Sequence, residues 1–189
     1  MNEEEFRRHQ TTRDRETLDE KVRRWKQLQP VTYGQQLLPR LMWEYVTRAD
    51  QMFIEGHFIG VILLCASIVE LSLADQLMPR TRIVRKEIER FTLEQMTILA
   101  HRLEIITSQE KGTISELRKL RNNLIHANAG EIAKMGKICY GVPPSDHSES
   151  LETGLYLTPL SEGEGIGADA LRYLGFTRDL TFRFYGAQP

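Results

Sequence analysis

The chain has 189 residues, 41% of them hydrophobic and 27% charged, which is typical of an ordinary soluble protein with one domain and some additions. The formal net charge of −1 excludes recruitment of nucleic acid by a global positive field, so any such contact must come from a local basic patch. Cys65 and Cys139 have no metal-ligand spacing and suggest no disulfide framework, and the first residues lack the apolar region of a signal peptide, so we expect a cytoplasmic protein.

Residues 1–30 are a charge-dense arm that we predict to be partly helical. Leu18, Val22, Trp25 and Leu28 fall on one stripe of a helix with 3.6 residues per turn. Such a stripe can pack on the domain, on a second copy of the chain, or on nothing. We predict a partly ordered arm with a solvated charged face.

Two core helices are predicted after the arm. The first runs from residue 41 to about 55 and ends near Gly56. The second covers 58–74, the most apolar segment of the chain, in which Glu70 is the single charge. This segment is shorter than the roughly 20 apolar residues that a membrane span needs, and it carries a carboxylate. We therefore predict a core helix and no membrane segment.

Residues 79–91 are basic, with some helical character. A helix from 92 to about 106 is predicted next, because Thr92 and Gln95 match a capping box, in which two side chains satisfy backbone N–H groups at a helix start. Its inward positions are predicted to be Leu93, Met96, Leu99 or Ala100, and Leu103.

The helix predicted over residues 113–127 follows a loop at 108–112. Its start is assigned to Thr113, because Glu116 follows three residues later and completes a second capping-box pattern. Apolar residues then recur at three- and four-residue spacing, at Ile114, Leu117, Leu120 and Leu124.

Arg121 falls within the apolar arc of this helix. An arginine cannot be deprotonated there, so it needs an acidic partner or a water-filled cleft. Glu70 is the natural partner, since each residue would otherwise be an unpaired charge among aliphatic side chains. Asn122 and His126 lie four residues apart beside Arg121. The three residues therefore form either a buried polar network or a functional site.

The sequence pattern changes after residue 128. We predict a short helix at 130–140, a polar loop at 141–154, an extended segment at 155–160, a flexible segment at 161–167 and a last helix from 168 to about 184. The predicted fold is an all-α antiparallel bundle of four to five core helices, with residues 31–189 as the domain and an irregular insertion at about 139–166.

The stretch LRKLRNNLIHA, residues 117–127, resembles the HEPN superfamily of small helical-bundle domains. The signature of that family is an Arg followed by four to six residues and a His, often with Asn directly after the Arg. Arg121, Asn122 and His126 fill these positions. Glu70 matches the single acidic residue common in the apolar second helix of the family. The resemblance covers roughly residues 40–128.

This resemblance implies a metal-independent endoribonuclease without a cofactor, in which two chains bring their Arg/His motifs together. It further implies a homodimer, RNA as substrate, and a role in defence or toxin–antitoxin systems with an antitoxin or another protein as partner. One branch of the family carries a Tyr two residues after the His, which its antitoxin modifies. Asn128 occupies that position here, which argues against that pairing.

Each residue of the motif has a role in such a reaction. His126 would move the proton of the 2′-hydroxyl, since the pKa of histidine lies near neutrality. Arg121 would stabilise the charge that develops on the phosphate, and Asn122 would orient the imidazole or bind phosphate. Arg118 and Lys119 would attract the RNA backbone.

The alternative is a non-catalytic scaffold that binds RNA, a nucleotide or a protein, as in many HEPN members. Arg121 and Glu70 would then form a structural salt bridge, and His126 would only end a helix, where a cation suits the helix dipole. Two residues five positions apart project about 140° from each other on an ideal helix. A shared site of Arg121 and His126 therefore needs a partner chain or an unwound helix end.

Overall fold

The computed structural model describes residues 17–28, 38–81, 83–88, 90–126, 139–141, 156–158 and 165–186. Its helices are α1 (residues 17–28), α2 (Arg40–Glu55), α3 (Phe58–Leu77), α4 (Arg85–Ile88), α5 (Leu93–Arg102), α6 (Ser108–Ile125) and α7 (Ile166–Tyr185). A 3₁₀ turn, Met78–Arg80, follows α3. Two three-residue strands, β1 (Cys139–Gly141) and β2 (Tyr156–Thr158), pair antiparallel. The all-α prediction is confirmed, apart from this short hairpin.

Helix α3 is the centre of the core, as its apolar sequence predicts. It packs against α2, α5, α6 and α7, and its fully buried side chains lie on several sides of the helix, at Val61, Ile62, Cys65, Ala66, Ile68 and Leu73. The stretch Phe58–Arg80 is long and apolar enough to cross a membrane by length and composition, and an 18-residue window within it has a mean hydropathy of 2.1. The packing of this helix confirms the prediction of a core helix. The helix has 20 residues and is longer than the predicted 58–74, so the absence of a membrane segment stays a prediction.

Helices α3 and α7 run in the same direction. The ring of Phe58, at the start of α3, lies 3.3 Å from the place that a Cβ on Gly167 would occupy, at the start of α7. At the other end, the side chain of Gln76 donates a hydrogen bond to the carbonyl oxygen of Phe184 over 3.3 Å. The bundle is therefore not antiparallel throughout, in contrast to the prediction.

Helix α6 runs antiparallel to α7. Two ion pairs fix this direction: Glu110 with Arg183 at 2.7 Å and Glu116 with Arg172 at 3.0 Å. Because α7 is parallel to α3, the carboxyl end of α6 points toward the end of the bundle where α3 begins.

The start of α6 differs from the prediction. Thr107 is the N-cap: its hydroxyl accepts a hydrogen bond from the N–H of Glu110 over 3.2 Å, and the Glu110 carboxylate accepts one from the N–H of Thr107 over 2.7 Å. Residues 108–112 are thus helical and not a loop. Thr113 lies inside the helix and donates its hydroxyl hydrogen to the carbonyl oxygen of Gln109. The sequence contains two Thr-x-x-Glu patterns six residues apart, and each can start a helix. Because no helix-breaking proline separates them, the helix can begin at the earlier one.

We expect Thr107→Ala to lower the free energy of unfolding by about 1 kcal/mol, because the N–H of Glu110 loses its acceptor at the helix start. Thr113→Ala is the matched control, since it removes a hydroxyl from a helix interior where alanine is favourable. Urea unfolding followed by circular dichroism measures both. Equal losses in the two variants would contradict the assignment of the cap.

Helix α5 begins at the predicted capping box, with Thr92 and Gln95 exchanging hydrogen bonds, but it ends at Arg102 and not near residue 106. Glu104 adopts the left-handed conformation, with φ 57°, and this turn ends the helix. Leu103, predicted to face inward, is consequently 39% exposed.

The arm contributes one docked helix. Leu28 is buried, and the guanidinium of Arg24 donates a hydrogen bond to the carbonyl oxygen of Ile54 over 2.8 Å, at the carboxyl end of α2. The rest of the predicted arm, residues 1–16 and 29–30, lies outside the described residues, as does most of the predicted helix at 130–140.

Three predictions for the later chain can be compared with the structure. Residues 139–140, predicted as helix, are in β1, because they pair with β2. The extended segment predicted at 155–160 contains β2, as expected. The last helix is confirmed but begins at Ile166, within the segment predicted to be flexible.

Candidate active site

The predicted contact between α3 and α6 is present. Nη1 of Arg121 lies 3.2 Å from Oε2 of Glu70 and donates a hydrogen bond to it. The side chains are 27% and 38% exposed, so the pair is only partly buried, whereas the apolar arc predicted a buried one. Nε of Arg121 is itself buried and makes no hydrogen bond within the described part of the chain. The guanidinium is held at the edge of the core, with one side toward solvent.

A cavity of about 310 Å³ adjoins this ion pair. Among the described residues that line it, Glu70 is the charged one, and the others are mainly apolar: Tyr45, Ser67, Leu71, Ala74, Ile88, Phe91 and Met96. Its size is at the lower end of the range for small-molecule pockets. The cavity leaves open space beside the carboxylate that fixes Arg121.

His126 lies at the carboxyl end of α6, where it is the C-cap residue and its side chain is exposed. Its backbone N–H donates a hydrogen bond to the carbonyl oxygen of Asn122 over 3.0 Å. This contact is between backbones. Among the described residues, no side-chain hydrogen bond joins Asn122 to the imidazole, so the predicted orienting role of Asn122 has no contact to support it.

Arg121 and His126 do not converge within one chain. The guanidinium of Arg121 is turned toward α3, while the imidazole is exposed at the helix end. Five residues of helix separate them by about 7.5 Å along the axis and about 140° around it. A single chain therefore presents the two groups on different sides of α6.

The two residues predicted to attract RNA have different environments. Arg118 forms a two-pronged ion pair with Glu94 of α5, with Nη1 3.2 Å from Oε2 and Nη2 3.3 Å from Oε1. Its charge is thus already paired within the fold. Lys119 is exposed. Of the two, Lys119 is the cation that faces solvent.

A second ion pair, which the sequence analysis missed, joins α2 to α7. Nη2 of Arg178 contacts Oδ1 of Asp50, and the side chains are only 4% and 17% exposed. Thr177 and Cys65 lie in the same buried region, and burial raises the pKa of the Cys65 thiol to about 12. This thiol therefore stays protonated at neutral pH.

A signal for this pair was available in the sequence. Arg178 lies within the apolar stripe of α7, as Arg121 does in α6, and the same argument would have required an acidic partner. Asp50 was available as this partner, since it follows the buried residue Ala49 in α2. The Asp50–Arg178 pair is the more deeply buried of the two, and it lies away from the motif.

Within the described residues, no group of three or more His, Cys, Asp or Glu side chains is placed to hold a metal ion. Comparison with known proteins gave no match, whether to a protein-family model, to a curated protein or to a solved structure.

Proposed function

We propose that the protein is a metal-independent endoribonuclease of the HEPN type that acts in the cytoplasm as a homodimer. The observation that supports this most is the Glu70–Arg121 ion pair. It fixes a cation on α6 about a turn and a half before an exposed histidine, so α6 carries both a phosphate ligand and a proton-transfer group.

The proposed chemistry uses the RNA's own 2′-hydroxyl as the nucleophile. His126 accepts the proton of this hydroxyl as its oxygen attacks the adjacent phosphorus, and the bond to the 5′-oxygen of the next nucleotide breaks. That oxygen takes up a proton from the solvent as it leaves, and the imidazolium of His126 later returns its proton to the solvent. Arg121 stabilises the charge on the pentacoordinate phosphorus. Its contact with Glu70 uses Nη1, so Nη2 is the donor proposed to bind phosphate.

The proposal requires two chains. Because Arg121 and His126 project to different sides of α6, a composite site forms when Arg121 of one copy and His126 of the other contact the same phosphate. Exposed Lys119 adds attraction for the RNA backbone, and Arg118 adds less because Glu94 already pairs with it. Asn122, half-buried one turn before His126, is proposed to bind phosphate.

We expect the protein to cleave single-stranded RNA in the presence of EDTA and to leave 2′,3′-cyclic phosphate and 5′-hydroxyl ends. The reason is that the proposed reaction uses a proton-transfer residue and a fixed cation in place of a metal-bound hydroxide. Mass spectrometry of the products from a short oligonucleotide identifies the ends. Activity that vanishes with chelator and returns with magnesium, or 3′-hydroxyl products, would refute this chemistry.

A non-catalytic scaffold is the second candidate, and the pairing of Arg118 with Glu94 favours it. Arg118 and Arg121 are both paired with carboxylates of the same chain, as expected of residues that stabilise a fold. RNA, a nucleotide or another protein would then be the main partner. Such a scaffold would bind RNA or protein without producing cyclic phosphate ends.

A further inference from the structure

Helix α1 exposes an apolar stripe. Leu18, Val22 and Trp25 are 60%, 41% and 49% exposed, although α1 is docked on the bundle through Leu28 and Arg24. Spacing of four and three residues places the three side chains within about 60° of one another around the helix. Contiguous exposed apolar residues on a docked helix mark an interaction surface.

The charges beside this stripe are arranged in a specific order. On a helix, Asp19 and Lys26 lie on the same flank of the stripe, seven residues apart, opposite the flank formed by Arg24 and Leu28. Both side chains are exposed, and neither forms an ion pair with the residues that the structure describes. The flank of Arg24 and Leu28 therefore lies against the bundle. The other flank is exposed and carries Asp19 near the start of the stripe and Lys26 near its end.

We propose that the α1 stripe pairs antiparallel with the α1 stripe of a second copy of this chain. In coiled-coil terms, Leu18 and Trp25 occupy d positions, Val22 an a position, and Asp19 and Lys26 e positions. Antiparallel pairing places Asp19 beside Lys26 of the second copy, and the two-fold axis repeats this ion pair on the other side. Val22 then packs against Trp25 of the second copy.

A parallel arrangement is disfavoured by the same charges. Lys21 occupies a g position, and in a parallel pair it would face Lys26 of the second copy, which brings two cations together. The charge pattern therefore selects a second copy in antiparallel orientation.

The position of α1 is compatible with a composite site, but the pairing does not depend on RNA cleavage. Arg24 packs at the end of the bundle where α2 ends and α3 begins, close to the ring of Phe58. The carboxyl end of α6, with His126, points to the same end. Pairing through α1 therefore takes place at the end of the bundle toward which α6 points.

Sedimentation velocity of the full chain from about 1 to about 200 µM tests the proposal. The stripe spans only about two helical turns. Contacts below about 1,200 Å² are typical of transient complexes, so we expect a monomer–dimer equilibrium with a micromolar dissociation constant. Val22→Glu should weaken association at least about tenfold, because it places a charge in the apolar seam. Leu41→Glu, at an exposed apolar residue of α2, is the matched control and should leave association unchanged.

Charge reversal tests the orientation. Asp19→Lys and Lys26→Asp should each weaken association, and the double variant should restore it, because both ion pairs form again with reversed sign. Circular dichroism checks that every variant stays folded. A monomeric wild type at the highest concentration would overturn the proposal and leave a different protein as the partner of the stripe. A dimer that persists in Val22→Glu would also overturn it, and failure of the double variant to recover would refute the antiparallel arrangement.

Discussion

Replacement of Arg178 by methionine is expected to lower the free energy of unfolding by about 3–5 kcal/mol, the largest stability effect that we predict for a single substitution. Arg178 is 4% exposed and contacts Asp50, which is 17% exposed, across the contact of α7 with α2. Removal of the guanidinium takes the positive charge away from a largely buried carboxylate, and a broken buried ion pair typically costs about this much.

Urea unfolding with circular dichroism measures this loss. The control is Arg40→Met in α2, because Arg40 is 93% exposed and its exposed pair with Glu44 contributes at most about 1 kcal/mol. The double variant Asp50→Leu with Arg178→Met should recover much of the loss, since no charge is then left unpaired. A loss below about 1 kcal/mol for Arg178→Met would show that the pair is unimportant for stability.

The largest effect on activity is expected at His126. If the protein cleaves RNA as proposed, His126→Ala should reduce the rate by about 10²–10⁴-fold, the usual contribution of a general acid–base group. The fold should stay intact, because the imidazole is exposed at the end of α6. Single-turnover cleavage of a short RNA measures the rate, and thermal unfolding checks the fold.

Arg121→Ala should differ from His126→Ala, because it loses both activity and some stability. The stability loss is expected to be about 1 kcal/mol, below that for Arg178→Met, because the Glu70–Arg121 pair is partly exposed to solvent. Lys119→Ala serves as the control for stability, since it removes an exposed cation from the same helix and should weaken only the attraction for RNA. Full cleavage by His126→Ala would refute the proposed mechanism, whereas a stability loss at Arg121 without any cleavage in the wild type would favour the scaffold.

The features of the fold that depend on local chemistry were predictable. The apolar run of α3, the capping box at Thr92 and the left-handed Gly56 after α2 each act over a few residues, so the sequence contains all the information for them. The Glu70–Arg121 contact was predictable for a different reason: two charges on two apolar faces have few other ways to be neutralised.

Features that depend on competition between two equivalent local patterns, or on packing against distant segments, were not predictable from one sequence. Thr107 and Thr113 carry the same capping pattern, and only the packed structure shows which one starts α6. The turn at Glu104 needs the left-handed conformation, which a glutamate does not signal. The partial exposure of Arg121 depends on its place at the edge of the bundle, and helical periodicity gives no measure of that.

The parallel packing of α7 on α3 has a consequence for protein synthesis. The residues between Leu77 and Ile166 must be translated before α7 can begin to cover α3, which takes roughly 4–18 s at about 5–20 residues per second. Once α3 has emerged from the ribosome in that interval, the most apolar helix of the chain is exposed without the helix that later packs against it. A nascent chain arrested before Ile166 should therefore be a better client for chaperones than the released protein.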